Sequence, residues 1–210
     1  MVAAARFTDV SISETLTIPE DGISSQTRDT ILKQDANSIF PVMLDSLRVW
    51  DAYQTPLPGT AAADDLAVIG GTFATAPPTI SAGDVKALGA TTRYARFQVQ
   101  LPECYEAGET VKIVLYAGMV TTIADVSCTI DIQAYKLDNI GGISADLCAT
   151  AAITINSLVF AAKEFVITPS GLVAGDIFDV RVAIASNDAA TGTAVKPTIA
   201  AIQLTADIKG

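Results

Sequence analysis

The chain has 210 residues, half of them hydrophobic and only 17% charged, a core-forming composition that excludes a disordered chain. Net charge is −10, and the 13 Lys and Arg are scattered singly along the sequence, so neither nucleic acid nor an anionic membrane is expected as a partner. Histidine is absent, which removes Ser-His-Asp and Cys-His catalysis and the commonest zinc ligand.

Residues 1–34 read as an extended arm. Val10, Ile12, Leu16 and Ile18 alternate loosely, and Pro19 to Gly22 is a turn. Residues 24–34 are the one candidate helix, with no Gly or Pro from Thr27 to Lys33. Arg6 and Asp9 interrupt the apolar start too early for a signal peptide. No stretch reaches the roughly 18 uninterrupted apolar residues of a membrane helix. Residues 39–50 read as a strand broken at Pro41, which suits an edge or bulge. Residues 53–65, rich in Pro, Gly, Ala and Asp, are a loop. Residues 66–75 read as a strand bent at Gly70-Gly71 and ended by Pro77-Pro78. Residues 79–92 read as a second long connection.

The clearest signal runs from Ala95 to Ile132. Phe97, Val99 and Leu101 alternate with Arg96, Gln98 and Gln100. A polar turn spans Pro102 to Glu109, and Val111, Ile113 and Leu115 alternate after it. Val126, Cys128, Ile130 and Ile132 then alternate with Ser127, Thr129, Asp131 and Gln133. Side chains on a strand change face with a period of two, so each segment has one apolar face. Residues 149–156, 160–168, 177–185 and 198–208 continue the style, with Phe165, Ile167, Phe178, Val180, Val182, Ile184, Ile202, Leu204 and Ile208 inward. Turns fall at Asp138 to Gly142, Pro169 to Asp176 and residues 187–196. Roughly eight to ten strands follow. A sheet with one apolar face buries it, usually on a second sheet. The pattern predicts an all-β antiparallel sandwich over residues 35–210, with Phe97, Val99, Ile113, Leu115, Ile130, Ile132, Phe178, Val180 and Val182 between its sheets.

Cys104, Cys128 and Cys148 are odd in number and widely spaced, which is no disulfide framework. Three free thiols made in a reducing compartment are expected, with Cys128 packing as a small hydrophobe.

Equipment for chemistry is sparse. No phosphate-binding loop and no dinucleotide fingerprint occur. Glu103, Glu106 and Glu109 share one turn, and paired acids hydrolyse glycosides. Aromatic content is only 6%, so a solvated acidic turn is the plainer account. Asp64-Asp65 and Asp138-Asn139 are oxygen-rich loop sites of the kind calcium uses, and turn chemistry explains them equally. No catalytic residue, cofactor or metal ligand is therefore assigned. Arg48, Trp50 and Asp51 are the interface candidates: Trp and Arg beside a Pro-rich loop have hot-spot composition. The alternative is that Trp50 caps one end of the sandwich core.

Three segments carry a resemblance: DANSIFPVMLDSLRVWDA (Asp35–Ala52), YARFQVQLPECYEAGETVKIVLYAGM (Tyr94–Met119) and SGLVAGDIFDVRVAIASNDAATG (Ser170–Gly192). They resemble the jelly-roll head-decoration, or cement, proteins of tailed bacteriophages, over most of the chain from Asp35 onward. The resemblance implies a jelly roll and a structural virion protein without enzymatic activity. It implies a homo-oligomer, dimer or trimer, made in the host cytoplasm and seated on the capsid surface, where it clamps subunits of the major capsid protein. Residues 1–34 then act as the gripping arm. Deleting them is expected to leave a folded protein, melting near the full-length chain, that no longer binds undecorated capsids. The alternative is a glycan- or receptor-binding β-sandwich module of a phage tail or fibre. It requires exposed aromatics on one face, and the five Tyr and one Trp are dispersed along the sequence.

Overall fold

Alternation of apolar and polar residues sets the strands, and their apolar faces set the layers. The computed structural model describes residues 36–138, 140–189 and 192–208. The arm expected over residues 1–34, with its candidate helix, lies outside them. The described residues form ten strands: β1 (Ala36–Val42), β2 (Ala67–Ile69), β3 (Thr79–Ser81), β4 (Gly89–Gln100), β5 (Val111–Thr121), β6 (Ser127–Leu137), β7 (Ile153–Thr154), β8 (Ala161–Ile167), β9 (Ile177–Asp188) and β10 (Val195–Ile208). One 3-10 turn, Leu44–Ser46, is the helical element among them.

Strands β1, β10, β5 and β8 lie side by side in one sheet, and the β2–β3 hairpin joins it beside β10. Strands β4, β9, β6 and β7 form the other sheet. Every pairing is antiparallel. The chain changes sheets from β4 to β5, from β5 to β6, and at each step from β7 to β10. Two four-stranded sheets connected in this way are a jelly roll, here with the β2–β3 hairpin inserted after the first strand. One edge of β10 serves two partners: β3 pairs with Thr198 and Ile199, and β1 pairs from Ile202 onward. A register shift between Ile199 and Ala201 falls at the changeover.

The core lies between the sheets. Phe97, Ile113, Leu115, Ile130, Ile132, Phe178, Val180 and Val182 are buried as the alternation predicts. Val99, near the end of β4, is partly buried and packs at the core's margin.

The structure corrects other expectations. The strand expected over residues 66–75 is only Ala67–Ile69, because Gly71 takes a positive φ of 68° and the chain turns. Thr72 and Ala76 close that turn by exchanging N–H to carbonyl bonds at 2.9 and 2.8 Å. The connection expected over residues 79–92 contains β3 and the first residues of β4; Ile80 is its one large apolar residue inside a strand, so alternation has little to show there. Val126 precedes β6 and is 59% exposed rather than inward. Tyr105, in the polar turn, is fully buried, with its hydroxyl donating to the Glu109 carbonyl at 2.7 Å.

The three cysteines are unpaired. Cys128 is buried in β6, and burial pushes its thiol up to about 11. Cys148 is half-buried and also raised by burial, whereas Cys104 is exposed. The thiolate is the reactive form. At about pH 8, near the ordinary thiol pKa, maleimide should label Cys104 quickly, Cys148 slowly and Cys128 only after denaturation. Equal native rates for Cys104 and Cys128 would mean that the phase of β6 is wrong.

At one end of the sandwich, aspartates tie loops to strands. Asp188 accepts N–H bonds from Asp125 (3.0 Å) and Ala87 (3.2 Å). Asp84 accepts from Val195 (3.0 Å) and Lys86 (3.1 Å). The Asp125 N–H leads in holding Asp188 below the usual carboxylate range. At Asp84 burial pushes upward, and the N–H groups of Lys86 and Val195 outweigh it, so this carboxyl also lies low. A depressed folded-state pKa contributes stability above the unfolded value, about 3.9, and that contribution is lost as pH falls through the folded value. An Asp84→Asn/Asp188→Asn variant should therefore melt below wild type at about pH 6, with the gap closing below about pH 4. A gap independent of pH would assign the loss to packing instead.

Candidate binding face on the four-stranded sheet

Burial of one face dictates what the other presents. Ala95 and Phe97 on β4, Val180 and Val182 on β9, and Ile132 and Ala134 on β6 all point into the core. Their neighbours therefore point outward, and the strand register lines them up in rows. Tyr94, Ala183 and Asp131 form one row; Arg96, Arg181 and Gln133 the next; Gln98, Asp179 and Tyr135 the third.

Like charges directly opposite across strands repel, and the middle row opposes two arginines. The structure separates them. Arg96 turns to Asp179, donating from Nε to Oδ1 at 2.6 Å and from Nη2 to Oδ2 in a two-pronged ion pair. The hydrogen bonds to Asp179 raise the Arg96 pKa further, so the guanidinium stays charged. Arg181 turns the other way. Its Nη2 donates to Oε1 of Gln133, and its guanidinium lies over Tyr94, 4.9 Å from the ring centroid, and over Trp50 at 5.5 Å. Arg96 lies over Tyr53 at 5.0 Å.

Trp50 and Tyr53 reach this face because Arg48 pairs through its backbone with Arg96 at the edge of β4, and the chain turns back through residues 49–55. Leu47 and Val49 are buried. The Arg48 N–H donates to the Arg96 carbonyl at 2.8 Å, and the Arg96 N–H returns a bond to Arg48 at 3.0 Å. Beyond it, Tyr94 bonds through its backbone to Asp64 and Leu66 at 2.7 and 2.9 Å. The two segments cover an otherwise open strand edge. Trp50 Nε1 donates to Asp64 Oδ2 at 3.0 Å, and the Trp50 and Tyr94 rings meet at 5.1 Å, tilted by 48°. An open pocket of about 250 Å³ results, lined by Trp50, Arg96, Gln133, Tyr135, Ile143, Asp179 and Arg181.

Of the candidates Arg48, Trp50 and Asp51, only Trp50 lines this pocket. It stands outside the buried core cluster, on the sheet's outer face, so it does not cap the core. Arg48 pairs through its backbone, and its Nη1 donates to the Asp45 carbonyl at 3.2 Å. Asp51 is exposed. Together with Asp64, and after the larger effect of burial, it raises the pKa of Asp65. Tyr53, Tyr94, Tyr135, Arg96, Asp179 and Arg181 were not singled out by sequence. Their outward phase is readable from alternation, and their convergence is not.

The other acidic candidates serve as turns. Asp138 Oδ1 accepts N–H groups of Ile140 and Gly142 within its own loop. Glu103 and Glu109 are exposed. Among the described residues no three His, Cys, Asp or Glu side chains are arranged to hold a metal ion.

Fold and face together define an antiparallel jelly-roll β-sandwich with an aromatic and arginine-rich outer surface on its four-stranded sheet. No protein-family model matches the sequence, and no curated protein matches it. Among solved structures the chain is similar to the xylan-binding module CBM15, with TM-score 0.45 and 15% identity over 83% of this chain and 100% of that one. It is similar to a family 30 carbohydrate-binding module of a Clostridium thermocellum cellulosomal cellulase, with TM-score 0.41 and 11% identity over 80% and 98%. A structure of infectious bursal disease virus, Gt strain, aligns with TM-score 0.38 and 11% identity over 82% and 32%.

Proposed function

We propose that the chain is a binding module without catalytic activity that takes a saccharide on the outer face of its four-stranded sheet. The observation that carries this is the convergence of Trp50, Tyr53, Tyr94 and Tyr135 with Arg96, Asp179 and Gln133 on one face. Those aromatics are dispersed in sequence and gathered in space, which removes the objection to a glycan-binding module. A sugar has apolar C–H faces and a rim of hydroxyls. Aromatic rings meet the first, and side chains with fixed donors and acceptors meet the second. The Arg96–Asp179 pair is preorganised, so little side-chain entropy is lost when a ligand docks. The test is affinity electrophoresis of the full chain in gels containing soluble neutral or acidic polysaccharides. Retardation by at least one is expected; no retardation by any overturns the proposal.

A second reading, attachment to a capsid, is supported by the outer face of the six-stranded sheet. Ile39, Tyr116, Val120, Phe160 and Val166 are all exposed there. An apolar sheet face of this kind suits contact with another protein. A decoration subunit that rested this face on the major capsid protein would leave the aromatic face outward, so both readings fit one molecule on a phage head, as a homo-oligomer. Mixing the protein with undecorated heads and sedimenting them tests this. Co-sedimentation at a fixed copy number is expected; recovery of all the protein in the supernatant overturns it.

A further inference from the structure

We infer that the saccharide taken by this face is acidic, with a uronate carboxylate held by Arg181; the inference rests on the saccharide-binding reading above.

Charge accounting in the pocket leads there. Two guanidinium groups and one carboxylate line it, Arg96, Arg181 and Asp179. Asp179 gives both of its oxygens to Arg96. Among the described residues no carboxylate lies within 4.0 Å of Arg181, and its side-chain hydrogen bond goes to the neutral amide oxygen of Gln133. A guanidinium has five N–H donors in a planar fork, so most of those on Arg181 have no partner among the described residues. Asp131, on the neighbouring row of β6, feels the Arg181 charge, which works against the burial that raises its pKa. It lines no part of the pocket. The lining thus carries one positive charge more than negative, in a chain whose net charge is −10.

Orientation adds to charge. Tyr94 and Trp50 hold the Arg181 guanidinium from one side, and Gln133 holds one end. A fork fixed in this way loses little freedom on binding, and its planar geometry matches a carboxylate by two parallel bonds. The overall negative charge repels polyanions at long range. Binding of an acidic glycan by this chain therefore requires a local cation, and Arg181 supplies it where the aromatic rings are.

The test compares polygalacturonate with its fully methyl-esterified form, with neutral xylan and glucan, and with dextran sulfate, by affinity electrophoresis and calorimetry on the full chain. Polygalacturonate is expected to bind at least tenfold more tightly than its ester, with affinity falling as salt rises from about 50 to 500 mM. Arg181→Gln should erase the difference between acid and ester, and Arg181→Lys should restore only part of it, because it keeps the charge and loses the fork. If the ester or neutral glycans bind as well as the acid, the inference fails and the saccharide-binding reading stands. If dextran sulfate binds more tightly than polygalacturonate, the carboxylate assignment is overturned. If nothing binds, both fail. Should Arg181→Gln not fold, the comparison of acid and ester on the wild-type chain decides alone.

Discussion

Phe97→Ala should destabilise the sandwich by about 3–5 kcal/mol and lower its melting temperature by roughly ten degrees or more. Phe97 is fully buried in β4, and its register partner on β9, Val180, is buried as well. Removing the ring loses its transfer energy and leaves a cavity that two hydrogen-bonded sheets cannot easily close. A domain of this size has about 5–15 kcal/mol to lose, so the variant sits near its limit. Gln98→Ala, at the exposed neighbouring position, should change the melting temperature by only a degree or two, since surface substitutions usually stay within about 0.5 kcal/mol. An unchanged midpoint for Phe97→Ala would reverse the phase of β4. Tyr94 and Arg96 would then face the core, and the binding face would not exist.

Trp50→Ala should weaken saccharide binding at least tenfold, about 1.4 kcal/mol, and leave melting nearly unchanged. Trp50 lies outside the core cluster, and what it touches is the site: Tyr94 at 5.1 Å, Arg181 at 5.5 Å and Asp64 at 3.0 Å. Truncation removes the largest ring of the face and frees the guanidinium that it holds. Trp50→Phe should keep part of the affinity. Arg48→Ala is the contrast, because Arg48 contributes to the edge of β4 through its backbone, which alanine retains. Equal losses for Trp50→Ala and Arg48→Ala would move the site away from the pocket. Trp50 is the one tryptophan of the chain, so its fluorescence reports directly. A ligand that binds without changing that emission docks elsewhere.

The long strands and most of the core follow from local sequence pattern alone. Phe97, Ile113, Ile130, Phe178 and Val180 declare their face through local alternation, since the period of two belongs to the strand and needs no partner. Short elements left less: β2 is three residues of the strand expected over residues 66–75, and β3 lies in an expected connection, because both are held by pairing with each other and, for β3, with β10. The binding face shows the same division. That Tyr94, Arg96, Asp179, Arg181, Gln133 and Tyr135 point away from the core was legible one strand at a time. That Arg96 stands opposite Arg181, and Asp179 opposite Tyr135, was decided by register between strands far apart in the chain. In the sequence the charged neighbours of Trp50 are Arg48 and Asp51. Its actual neighbours are Tyr94 and Arg181, which meet it only because Arg48 pairs with Arg96 at the edge of β4 through backbone hydrogen bonds. Such bonds are made by groups that every residue carries, so no side-chain pattern records them.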